Sequence, residues 1–245
     1  MNADSFNSDA FDATCALCGK PGHFARDEQP SRESYPCPGC RASLRYQGQA
    51  LVVLAHYARH GSMSIKMLVR EREFRGLHVW EPGQYGPFRR YLKRLPNYQR
   101  SGFWPDVGRG KRRDGVRCED ITETTFASEA FDLVLTSEVF EHVRKPVLGF
   151  REIHRILRAG GAHIFSIPVS APVRPTTRSR VDTSGPDDVF LVEPEYHNTH
   201  LVYNDFGLDL VDQLADVGFH TEIVPFVSTN PTAARQVSFC SVKLS

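Results

Sequence analysis

The sequence predicts an α/β fold on a mostly parallel sheet, with a small metal-stapled module ahead of it. Three observations predict this. First, Phe131–Ser137 carries Leu133, Val134 and Leu135 in one run, the mark of a strand buried on both faces. Second, this run opens a strand–helix–strand unit. Phe150, Ile153, Ile156 and Leu157 recur at helical spacing, Gly160-Gly161 is the expected helix stop, and His163–Ile167 is a second apolar strand ended by Pro168. Such a unit belongs in a parallel sheet, with ligands at the carboxyl ends of its strands, where Glu138, Glu141 and His142 fall. Third, Cys15-x-x-Cys18 and Cys37-x-x-Cys40 lie in a stretch too poor in apolar residues to fold on burial alone.

Composition narrows the function classes. The chain has 245 residues, 40% of them hydrophobic, and a formal net charge of +1. That balance supplies a real core but no general field for nucleic acid or an anionic membrane. No run is long enough to span a bilayer, and the first residues, Met1–Asp9, lack the basic start and apolar core of a signal peptide. The expected location is the cytoplasm, where paired CxxC units signal metal more than disulfides.

From the N-terminus, residues 1–13 read as a polar, disordered tail. Residues 14–45 read as a zinc-ribbon-like module in which Cys15, Cys18, Cys37 and Cys40 complete a tetrahedron, Gly19 and Gly39 serve the tight turns, and the zinc is structural. Lys20, Arg26, Arg32, Arg41 and Arg45 are offset there by Asp27, Glu28 and Glu33, a weak nucleic-acid footprint. Residues 46–76 form a helical connector, with an amphipathic helix over Tyr46–His60 ended at Gly61.

Beyond it, the wording FDLVLTSEVFEHV followed by REIHRILRAGGAHIFSIPV resembles class I S-adenosylmethionine-dependent methyltransferases of the type 11 kind. The likeness runs from about Leu77 to the C-terminus and is strongest over Val116–Pro168. It implies a Rossmann-like, seven-stranded methyltransferase sheet over residues 77–245, with S-adenosylmethionine as cofactor.

The resemblance gives each following element a role. Leu77–Glu81 is the first strand, and the loop after it keeps Glu81, Gly83 and Gly86 of the family's glycine motif, with Gln84 and Tyr85 between them. A helix over Pro87–Leu95 and a short strand over Asn97–Phe103 follow. The family's ribose-binding acid is missing at that strand's end, where Ser101 stands nearest and Asp106 comes later. Gly108–Asp114 reads as a solvated loop and Gly115–Asp120 as the third strand. Asp120 matches the position that accepts from the adenine amino group, and Ile121 offers its N–H to the ring. Ser137 and Glu138 fall where the family touches the methionine portion. Glu138, Glu141 and His142, at i, i+3 and i+4, could share one helical face and hold a divalent cation, with His197 or His200 as a further ligand. The Pro-rich segment 168–188 should cover the acceptor site, and Leu191–Gly207 packs Glu193, Glu195, Tyr196, His197, His200 and Tyr203 beside it. A helix over Phe206–Val217 and strands over Thr221–Val227 and Gln236–Lys243 close the sheet as an antiparallel pair.

These features read as methyl transfer to a small-molecule or glycan hydroxyl, with His197, then His142 and His200, as candidate general bases. Two other readings stay open. One is a methyltransferase fold that binds a partner without cofactor, given the altered glycine loop. The other is an RNA methyltransferase that uses the zinc module for its substrate. Nucleic acid is not favoured as a partner, and neither the acceptor nor the oligomeric state is named by the sequence.

Overall fold

In the computed structural model, residues 9–30, 32–83, 85–169, 173–228, 230 and 233–244 are described. Residues 1–8 of the expected tail, Gln84 of the glycine loop and residues 170–172 of the Pro-rich segment lie outside them.

The expected tail ends earlier than residue 13. Ala10–Thr14 (β1) pairs antiparallel with Pro21–Ala25 (β2), and Phe11 stacks on Phe24 with ring centroids 5.4 Å apart. Two aromatic rings on one face of a hairpin give this stretch a packed surface that its polar composition conceals. The connector holds Leu44–Tyr57 (α1), Ile65–Leu68 (α2) and Arg72–Gly76 (α3).

The main sheet is built from Val79–Pro82 (β3), Tyr98–Gly102 (β4), Arg112–Arg113 (β5), Val116–Cys118 (β6), Phe131–Ser137 (β7), Leu157–Ser166 (β8), Phe219–Pro225 (β9) and Val237–Lys243 (β10). Its order is β9-β10-β8-β7-β3-β4-β6-β5. The five strands from β8 to β6 run parallel, β10 lies antiparallel between β9 and β8, and β5 pairs antiparallel with β6. The sheet thus has eight strands rather than seven. The eighth is β5, inside the segment read as a solvated loop, where Asp114 and Gly115, both at positive φ, turn the chain back as a hairpin.

Arg89–Leu92 (α4), Pro146–Ile156 (α5) and Leu210–Val217 (α6) cover the sheet. Helix α5 does not reach the glycine pair. It stops at Ile156, because Leu157 leaves helical geometry at ψ 141° and begins β8. Gly160 and Gly161 fall inside β8, where the β7–β8 register shifts between Phe131 and Leu133. Gly160 supplies the φ of +74° that this irregularity needs.

Side chains alternate between two cores. Leu133, Leu135 and Ile164 join the core under α1 and α4, whereas Val134 and Phe165 join the core under α5 and α6. Cys15, Cys18 and Cys37 belong to the first of these cores, together with Leu44, Val53, Ile65 and Leu68. The module also bonds to the connector through main chain, Ile65 N to Ala16 O at 2.8 Å and Lys66 N to Leu17 O at 2.9 Å. It is therefore continuous with the sheet's packing on that side.

Candidate active site and cysteine cluster

The four cysteine sulfurs gather within 4.8 Å of one another. Cys15 and Cys40 Sγ are 3.6 Å apart, and Cys18 and Cys37 Sγ 3.7 Å. A tetrahedral site with Zn–S bonds of about 2.3 Å has sulfur–sulfur edges of about 3.8 Å, so the cluster has the dimensions of a zinc site. Hydrogen bonds from the Cys40 thiol, the Cys18 N–H and Gln47 Nε2 hold the Cys15 thiol well below its ordinary pKa. The sharp turns after each CxxC use Gly19 at φ +74° and Arg41 at +64°. Gly39 is needed for another reason: a Cβ there would sit 2.8 Å from the Lys20 side chain.

The strand order reverses between β3 and β7, which are parallel neighbours whose chain continuations leave in opposite directions. At such a switch point the loops after the two strands part and open a crevice at their carboxyl ends. On the β3 side, Glu81 is buried, accepts from the Tyr98 hydroxyl at 2.5 Å and is pushed up to about 7 by burial. Gly83 takes φ +131°, open only to glycine, and a Cβ on Gly86 would come within 3.2 Å of Glu81 Oε1 and 3.7 Å of Tyr46 Oη. The two retained glycines are thus the two this loop requires.

On the β6 side, Asp120 Oδ1 accepts from Thr122 N at 2.8 Å and Thr122 Oγ1 at 2.7 Å. Oδ2 makes no hydrogen bond among the described residues, and neither does the Ile121 N–H. An acceptor and a donor on adjacent residues remain unspent, as the Watson–Crick edge of adenine would need. The β4 end carries no acid; Phe103 is exposed there and Trp104 packs over Gly102.

On the β7 side, Ser137 donates to Gln49 Oε1 of α1 at 2.5 Å, so its hydroxyl proton is already committed. Glu138 turns the chain at φ +52°. A short 3-10 turn, Phe140–His142, follows, anchored by Phe140 stacked on Phe150 at 4.1 Å. Glu138 therefore stands outside the helical turn that was expected to align it with Glu141 and His142. Its carboxylate instead meets Arg32 of the cysteine module, Nε to Oε2 2.8 Å, and burial, with Glu141 nearby, pushes its pKa up.

The three groups that do converge as possible cation ligands are Glu141, His142 and His197. Glu141 is 1% exposed, and neither carboxylate oxygen has a hydrogen-bond partner. Its Oε1 lies 3.6 Å from His142 Nε2 and 3.7 Å from His197 Nδ1. His142 Nδ1 donates to Leu201 O at 2.8 Å, which leaves its Nε2 lone pair facing Glu141. Burial lowers the pKa of His142, whereas the adjoining Glu141 raises that of His197. His200 stands beside them, its ring 5.6 Å from His142, but exposed.

Small strand pairs shape the insert: one holds both histidines, and another joins the Pro-rich segment to the stretch after it. Tyr196–His197 pairs with His200–Leu201, and Arg178–Ser179 with Asn204–Asp205. Arg180 cross-links the insert through Asp205 at 3.1 Å and Glu195 at 3.2 Å, and Arg144 ties it to the strand-helix loop through Asp188 at 2.7 Å.

A family model described as a methyltransferase domain matches residues 105–165, the segment holding Asp120, β7 and Glu138–His142. Over these residues the chain is similar to a methyltransferase domain. Among solved structures, the chain is similar to an S-adenosylmethionine-dependent methyltransferase from Mesorhizobium loti, at 18% identity, covering 68% of this chain and 90% of that one with a TM-score of 0.44. It is also similar to the sugar N-methyltransferase KedS8 from Streptoalloteichus, at 14% identity, covering 79% and 93% with a TM-score of 0.46. A methyltransferase from Methanosarcina mazei is 13% identical, covering 69% and 92% with a TM-score of 0.41. No curated protein matches the chain in sequence. Among the described residues, no helix is long and apolar enough to cross a membrane.

Proposed function

We propose that the chain is an S-adenosylmethionine-dependent methyltransferase that methylates a hydroxyl of a small molecule or glycan, and that its cysteine module holds one structural zinc ion. The observation that carries the reading is the unspent Oδ2 of Asp120 and N–H of Ile121 past the end of β6, together with Glu141 past the end of β7 and His197 beside it. Asp120 and Ile121 would hold the adenine, and the bare backbone at Gly83 and Gly86 leaves room for the chain beyond the ribose. Ser137, its hydroxyl tied to Gln49, would contribute main chain only. When bound, the cofactor supplies a methyl group already activated on a sulfonium, so the protein's work is alignment, exclusion of water and proton removal.

Glu141 would hold His197 through Nδ1 and leave Nε2, now 3.4 Å from the exposed Glu195, to take the acceptor's hydroxyl proton. His142, fixed by Leu201, stands behind it, and His200 lies at the rim. A second reading rests on Glu141 alone. Two unpartnered oxygens on a fully buried carboxylate between two imidazoles also suit a divalent cation held by Glu141, His142 and His197, which would polarise the same hydroxyl.

Calorimetry with S-adenosylhomocysteine tests the proposal. Saturable binding at one site per chain is expected, and its absence leaves the scaffold reading. With labelled cofactor and a panel of hydroxylated metabolites and glycans, H197A should abolish turnover and keep cofactor affinity. Turnover that chelators stop and Mn²⁺ restores selects the cation. Methylation of RNA, with affinity falling steeply as salt rises, would replace the small-molecule acceptor.

A further inference from the structure

The formal net charge of +1 conceals a segregation of charge along the chain. Residues 66–100 hold nine Lys and Arg against three Asp and Glu, so the rest of the chain is net acidic. Those three acids make their contacts elsewhere. Glu81 is buried against Tyr98, Glu71 accepts from Arg59 N at 3.0 Å, and Glu73 meets His60 Nε2 at 3.1 Å. Outside the segment, arginines find carboxylates, as Arg109, Arg117, Arg144, Arg155 and Arg158 do. None of the nine cations makes an ion pair among the described residues.

The cations line up in space. Asn97 Nδ2 donates to Gly76 O at 3.3 Å. That bond sets the end of α3, where Arg72 and Arg75 are exposed, beside the turn after α4, where Lys93 and Arg94 are exposed. Helix α4 carries the strip on through exposed Arg90 and Arg89 toward the carboxyl end of β3. There burial raises the pKa of Glu81, and the nearby charges of Arg100 and Arg89 pull it back. Tyr85 stands 88% exposed in the glycine loop just past that end. Arg89 with Lys93, and Arg90 with Arg94, are like charges four residues apart, a spacing that costs helix stability. A row of unpaired cations, mostly arginine, that ends on a bare aromatic ring fits a polyanion built of phosphates and planar bases.

We propose that α3, α4 and the glycine loop form a docking strip for single-stranded nucleic acid, with phosphates along Arg75, Arg94 and Arg90 and a base stacked on Tyr85. Docking there is separate from methyl acceptance, because the strip lies on the β3–β4 side and the Glu141–His197 group past β7.

Fluorescence anisotropy with labelled oligouridine and oligoadenylate, in the absence of cofactor, tests the strip. Wild-type chain should bind both, with log affinity falling linearly against log salt. R90E/R94E should weaken both at least about 10-fold, and R90Q/R94Q should flatten the salt slope by about 1.4, the worth of two phosphate contacts on a single strand. Y85A should weaken oligoadenylate at least about five-fold and leave the slope unchanged, since stacking releases no counterions. K145E/R151E, on α5 over the opposite core, makes the same change in net charge and should stay within about three-fold of wild type. Equal weakening by the two reversal pairs reduces the effect to net charge and overturns the proposal, as does a Y85A chain with undiminished affinity. A chain that binds heparin or anionic lipid vesicles but neither oligonucleotide overturns it too. Oligonucleotide binding by a chain that fails to bind S-adenosylhomocysteine keeps the strip and removes the enzyme reading.

Discussion

The two oxygens of Asp120 are in different circumstances. Oδ1 closes a turn on Thr122, and Oδ2 stays open. D120N keeps the turn's acceptor but sets an amide donor against the adenine amino donor. Calorimetry should show S-adenosylhomocysteine affinity falling at least about 10-fold, the worth of one charge-assisted hydrogen bond. Undiminished affinity would remove Asp120 from the site. Asp120 and Ile121 enter only through the family resemblance, whereas the meeting of Glu141 with His142 was legible from their adjacency in one short motif. Arg32, Tyr46 and Gln49 were not. Each reaches the crevice from far away in the chain, Gln49 across 88 residues to Ser137, and no local pattern marks such a residue. Glu138 was misplaced for a different reason. Spacing of i, i+3, i+4 assumes helical backbone at every position, and Glu138 sits at positive φ.

At the scale of elements, strong periodicity carried through. Strand β7 was legible from its apolar run, and the closing antiparallel pair from alternation. Helix α6 ends where expected, at Gly218 with φ +108°. The failures are elements held by partners rather than by pattern. Hairpin β1–β2 depends on Phe11 and Phe24, strand β5 on its neighbour, and Gly160-Gly161 on the register shift beside them. The cysteine module both packs into the core and gathers its four sulfurs within 4.8 Å of one another. Metal analysis should find one zinc per chain, and a strong chelator should lower the melting temperature of the whole chain in a single transition, since Cys15, Cys18 and Cys37 share the core of α1 and β7. A chelated protein that melts like the untreated one would show the thiols to be metal-free.

For the molecule as a whole, acid stability follows from a buried base. His163 is fully buried between Phe140 and Phe165, its Nε2 is 2.8 Å from Thr136 Oγ1, and burial lowers its pKa to about 3. In the unfolded chain it takes a proton near pH 6.5. Below that pH the unfolded state gains a proton that the folded state refuses, so stability falls as pH drops from about 6.5 toward about 3. Between pH 7 and pH 5 this amounts to about 2 kcal/mol. The paired replacement T136V/H163L removes both polar partners together and should flatten urea-measured stability over that range relative to wild type. An identical slope would place the titration elsewhere.

The continuity of the cysteine module with the packing under α1 also sets what can be cut away. Deleting everything before Leu44 would not leave a leaner catalytic half. It would strip one flank of the sheet, wet Ile65 and Leu68, and take from buried Glu138 the Arg32 guanidinium 2.8 Å away, leaving Arg45 as its neighbouring cation. The core that Ile65 and Leu68 share starts ahead of the first cysteine, at Phe11.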